Sequence, residues 1–195
     1  SYGAEVRTSA PVERILMRGR EAAGVVLQDS GDELHAKVVV SSLEPRLTFT
    51  RLVDPKHLPD QFVADLKRFR LRGSSGKVNV ALDSMPSFTS RPGVGLHMKG
   101  DLAIAPSIDY LERAYDEAKY GAFSKRPFIN VVFPSLTDPT VAPPGKHVMS
   151  CFVQYAPYHL AEGADDWPNQ REAFGDAVID TLEELAPGLK DRILH

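Results

Sequence analysis

Cysteine is almost missing from this sequence: Cys151 is the only one in 195 residues, so no disulfide can close within the chain. That points to a reducing compartment, the cytoplasm or, in a eukaryote, an organelle matrix. Cys151 sits in an apolar run and reads as a buried, inert thiol. Positive charge is not in excess either. Lys and Arg number 23 against 26 Asp and Glu, for a net charge of -3, so no basic surface is available to concentrate phosphates, and nucleic acid is not an expected partner. Long apolar runs are absent: Asn130, Ser150 and Gln154 break the candidates well short of the roughly 18 residues a spanning helix needs. No basic-then-apolar leader precedes the first strand-like residues, and there is no initiator Met. Both ends stop inside regular patterns, which reads as an excised piece of a longer protein.

What is present is an ordinary globular composition, 43% apolar and 25% charged, enough for one large domain or two small lobes. Ala4–Thr8, Val12–Met17 and Gly24–Leu27 read as strands, and Leu34, Ala36, Val38 and Val40 alternate with His35 and Lys37 as one face of another. Gly19 and Gly31 mark the reversals, making a small β-meander. Phe62, Leu66 and Phe69 recur at helical spacing after Asp60, which is expected to cap a helix stopped by Gly73. That amphipathic helix would suit a core, a partner or a peripheral membrane contact equally well. Val78, Val80 and Leu82 form a strand, and a long Pro/Gly/Ser-rich connection from Ser84 to Gly100 is expected to contribute to a site. Further on, Ser107 caps a helix with Leu111, Tyr115 and Ala118 on one face, ended by Gly121. Strands follow at Phe128–Phe133 and His147–Tyr155, with a proline-rich reversal between them. A final helix carries Phe174, Val178, Leu182, Leu185 and Leu189, and Pro187 should break or kink it. The sum is an α+β fold: a β-meander, then a mixed or antiparallel sheet flanked by helices, with a seam near Leu52–Pro55.

No chemistry-bearing motif stands out. Gly93-Val94-Gly95 lacks the third glycine and the strand-to-helix context of a dinucleotide fingerprint. The six histidines are not paired at helical spacing, so no metal site is expected. Gly73-Ser74-Ser75-Gly76 is not a nucleophile elbow, and Glu183 and Glu184 point in different directions on a helix. Tyr155, Tyr158 and His159 have apolar bodies and polar tips, and either line a pocket wall or cap the end of a sheet. Catalytic residues are not identifiable. That suits a domain that shapes a cavity while a cofactor carries the reaction, and equally a noncatalytic binding or assembly module.

The order of segments carries a resemblance. Gly3-Ala4-Glu5-Val6-Arg7-Thr8, Val12-Glu13-Arg14-Ile15, Gly24-Val25-Val26-Leu27 and Ala36 through Pro45 resemble the middle of phytoene desaturase-like flavoproteins, of the amine-oxidase-type FAD superfamily. Thr137-Asp138-Pro139, Ala142-Pro143-Pro144-Gly145-Lys146-His147 and Gln154-Tyr155-Ala156-Pro157-Tyr158 are similar to the branch that contains pyridine nucleotide-disulfide oxidoreductase domain-containing protein 2. The resemblance implies that residues 1–53 belong to an FAD-binding domain and residues 54–195 to a substrate-binding domain. It implies FAD contacts at Val12, through its backbone, and near Ser41 and Ser42. The parent would move a hydride from an apolar or amphipathic substrate to flavin, with Tyr155, Tyr158 and His159 as candidates to meet that substrate. The glycine-rich phosphate loop of the family is not in this sequence, so the chain is not expected to retain FAD by itself or to be active alone.

Overall fold

A computed structural model describes residues 3–70, 73–161 and 166–195. The chain divides into two compact units, Ser1–Leu71 and Arg72–His195, both α+β with only antiparallel strand pairs.

The first unit is built on the meander β1 (Val12–Arg18), β2 (Glu21–Leu27) and β3 (Glu33–His35), in that spatial order. Gly19 and Gly31 take the positive φ values of 65° and 71° that the reversals require. Two expectations fail at the margins of this sheet. Ala4–Thr8 forms no strand. The strand expected from Leu34 to Val40 stops at His35, leaving Val38 73% and Val40 89% exposed. Past His35 only the Ala36 N–H still reaches the neighbouring strand, at Ala23 O (2.9 Å). Alternation marks a face, but a face is buried only where a second layer covers it.

Glu44 caps α1 (Pro45–Leu47) by accepting from the N–H groups of Arg46 (2.6 Å) and Leu47 (3.2 Å), and a π-type turn at Thr48–Leu52 continues it. Next come a 3₁₀ turn at Pro55–His57 and α2 (Asp60–Arg68). Asp60 is the first residue of α2 and not its cap: Pro59 holds that position and supplies no capping side chain. The helix is left at Phe69, ahead of Gly73. Within the first compact unit, which includes α2, Phe62 packs edge-on against Phe49 with ring centroids 5.1 Å apart.

The second unit holds a four-stranded sheet of β4 (Ser75–Leu82), β5 (Leu102–Ile104), β6 (Phe128–Val132) and β7 (His147–Gln154), in spatial order β4-β7-β6-β5. Two helices accompany it, α3 (Ile108–Lys119) and α4 (Trp167–Leu185). Its core joins one face of the sheet, with Val80, Ile129, Val131, Met149 and Val153, to the α4 stripe of Phe174, Val178 and Leu182. Ser107 caps α3 by accepting from Tyr110 N–H at 3.1 Å, and Gly121 follows it at φ 79°. Of the expected contact face of α3, Leu111 and Ala118 are half-buried beside the buried Ala114, while Tyr115 is exposed. α4 ends at Leu185, ahead of Pro187. Phe88 and Met98 of the Ser84–Gly100 connection are buried in the core.

No helix among the described residues is long and apolar enough to cross a membrane. Among the same residues, no cluster of three or more His, Cys, Asp or Glu could hold a metal ion.

Candidate functional site

In the second unit a cavity of about 960 Å³ opens between the first half of β4, the chain just past β7 and the first turns of α4. Its apolar wall rests on three aromatic rings. Trp167 lies stacked 6.0 Å from Phe123 and edge-on to Phe174 at 5.6 Å, and Phe123 meets Phe174 edge-on at 5.4 Å. The indole Nε1–H donates to Pro157 O at 2.9 Å, which fixes the ring against the segment carrying the polar rim. That segment is pinned to β4 by Ala156 N–H donating to Ser74 O at 2.8 Å.

Tyr158 and His159 stand on the cavity wall, edge-to-face at 4.7 Å, with Lys77, Arg171 and Glu172 also lining it. Tyr158 is 60% exposed, leaving its ring available to a ligand. Tyr155 is not in this cavity; it lies edge-on against Tyr115 of α3 at 5.1 Å. The aromatic cluster read from the sequence thus splits between a pocket wall and a helix contact. Trp167, Arg171 and Phe174 escaped the sequence reading as lining residues. Phe174 was visible only as part of the core stripe, and the single tryptophan at the start of α4 was the available signal.

Cys151 lies in β7 with 0% exposure, and burial pushes its thiol up to about 12. The thiolate that a nucleophile or a redox site needs does not form there near neutral pH.

In the first unit, Ser41 lines a cavity of about 350 Å³ together with Met17, Val39, Phe49 and Val53, and its Oγ lies 2.8 Å from Thr48 Oγ1. Ser42 is exposed and Val12 half-buried, and neither lines that cavity. Val12 opens β1, which is an edge strand of the sheet among the described residues. A dinucleotide's phosphates need backbone donors at a helix N-terminus. Here α2 begins with Pro59, which has no N–H, and Asp60, whose carboxylate would repel them. The start of α2 is therefore not suited to a pyrophosphate.

No family model matches the chain. It is 35% identical over 199 residues to pyridine nucleotide-disulfide oxidoreductase domain-containing protein 2 of Mus musculus, covering 98% of this chain and 34% of that protein. It is 30% identical over 193 residues to a phytoene desaturase (neurosporene-forming) of Cereibacter sphaeroides, covering 98% and 35%. Among solved structures, an oxidoreductase from Methanosarcina mazei superposes with a TM-score of 0.50 at 23% identity, over 93% of this chain and 34% of that one, a likeness of fold alone. The chain spans about a third of the length of the curated relatives it matches. With these matches running along 98% of its residues, the homologues of this chain are pyridine nucleotide-disulfide oxidoreductase domain-containing protein 2 and phytoene desaturases, and it corresponds to a part of each.

Proposed function

We propose that this chain is the central part of an FAD-dependent oxidoreductase whose substrate is apolar or amphipathic. In this reading residues 1–53 complete the cofactor domain and residues 54–195 form the substrate domain. Backbone groups of Val12 meet the cofactor's base, and the Ser41–Ser42 segment passes beside it. A bound flavin would supply the redox step by accepting a hydride. The chain's own residues shape the chamber: the Trp167 and Phe174 wall takes an apolar body, and Tyr158 and His159 orient a polar end. Tyr155, turned onto Tyr115, supports α3 and does not meet the substrate.

The observation that carries this reading is the large cavity with an apolar aromatic wall and few polar groups, in a chain aligned end to end with such oxidoreductases. The test uses the full-length parent and the 195-residue chain side by side. After FAD is added and the sample desalted, the parent should keep the flavin spectrum and the 195-residue chain should lose it. Under anaerobic conditions, an apolar substrate from a panel of polyenes and long-chain amphiphiles should bleach the parent's flavin. A parent that holds flavin but is reduced by none of them would favour the noncatalytic binding or assembly module.

A further inference from the structure

The outer edge of β4 is half paired and half open, and the pairing has a direction. Ala81 N–H donates to His195 O (2.7 Å), Leu194 N–H donates to Ala81 O (2.8 Å), and Asp83 N–H donates to Arg192 O (2.7 Å). Leu82 and Ile193 are antiparallel bridge partners. Ala81 thus turns both backbone groups away from β7. The β4–β7 register runs without a slip from Ser75 to Leu82, so Asn79, Lys77 and Ser75 turn theirs the same way. Among the described residues nothing pairs with them.

The ground beside this open edge is shaped to receive chain. A groove of about 640 Å³ runs between Asn79 and Val80 on one side and Gly175 and Ile179 of α4 on the other, with Ile193 and His195 at its end. Ile179 is only partly buried, packing against the core from one side, and a side chain added at Gly175 would meet open space. Asp176 and Asp180 of α4 and Lys190 also line the groove. An unpaired edge beside such a groove is a template for strand addition, in which main-chain bonds give affinity and alternate side chains enter the groove.

We propose that this edge is completed in the full-length protein by an extended segment from the two thirds of the chain outside these residues, running antiparallel to β4 in continuation of the Arg192–His195 pairing. About six residues at roughly 3.3 Å each reach from Ala81 to Ser75. The sheet becomes five-stranded, and the added strand walls the open side of the larger cavity at Lys77. The proposal needs only that the parent is longer than this chain, so it stands or falls apart from any flavin chemistry.

Site-resolved amide hydrogen exchange on the full-length protein and on the 195-residue chain tests it. Val78 and Val80, whose N–H groups bond to β7, are the internal control and should be protected in both. Lys77 and Asn79 should exchange quickly in the 195-residue chain and about 100-fold or more slowly in the parent. Equal, fast exchange of these two amides in both proteins would overturn the proposal. Protection that appears in the 195-residue chain alone and rises with its concentration would also overturn it, assigning the edge to a second copy.

Discussion

The ring of Phe174 occupies the place where a side chain on Gly76 would stand: a Cβ built on Gly76 would lie 2.5 Å from Phe174 Cζ. Phe174 is itself held between Phe123 and Trp167, so it has little freedom to swing aside. Gly76→Ala should therefore cost about 1–3 kcal/mol as an overpacked core, read as a lower denaturant midpoint, and should shift Trp167 fluorescence. Adding Phe174→Leu should recover part of the loss; strict additivity of the two changes would argue against the contact.

Cys151 should be silent toward a thiol reagent such as Ellman's in the native protein and react stoichiometrically once unfolded. With its pKa raised to about 12 by burial, native labelling can proceed only through opening. Rapid labelling without denaturant would contradict its place in the core.

Glu183 ties off the end of α4. Its carboxylate accepts from Lys190 N–H (2.8 Å) and Gly188 N–H (2.6 Å), and those bonds, aided by the nearby Lys190 charge, lower its pKa from the ordinary value of 4.5. A carboxyl whose pKa is depressed by folding adds stability above its unfolded pKa and loses it as pH falls through the folded value. Melting temperatures of the wild type and Glu183→Gln should differ at about pH 7 and converge toward about pH 3. A difference that persists unchanged at the acid end would mean that the charge is not what matters.

Tyr158→Ala should leave stability within about 0.5 kcal/mol, because the ring is mostly exposed, while weakening substrate-dependent flavin reduction in the full-length parent. Tyr155→Ala should do the opposite. Losing the Tyr115 contact should cost roughly 0.5–1.5 kcal/mol, with substrate response retained. Equal losses of reduction in both variants would place Tyr155 at the substrate as well.

Leu182→Ala removes a fully buried side chain from the α4 stripe and should destabilise the second unit by about 2–5 kcal/mol, measured by denaturant unfolding. A loss under about 1 kcal/mol would mean that the helix is not closing the sheet there.

Much of the fold was legible in local sequence. Periodicity located β1, β4, β6, β7 and α4, and Ser107, Gly121 and Pro187 marked helix ends correctly. These signals are local because a cap, a turn or an alternation acts within a few residues. Of the site, Tyr158 and His159 were readable as amphipathic side chains past a strand, and Arg171 was not, since an isolated arginine carries no signature until a fold surrounds it.

The sequence by itself determined the meander, the α+β character and the likeness to phytoene desaturase-like proteins, because each rests on residue spacing or on shared segments; that the sheet is antiparallel and not mixed was left to the structure. Only the tertiary structure decided that Val38 and Val40 stay exposed, that Phe62 of α2 packs on Phe49, and that Tyr155 turns to Tyr115 while Tyr158 and His159 turn to the cavity. The physical reason is that periodicity names the side a residue is on. What covers that side depends on contacts between segments far apart in the chain, and those exist only once the layers have met.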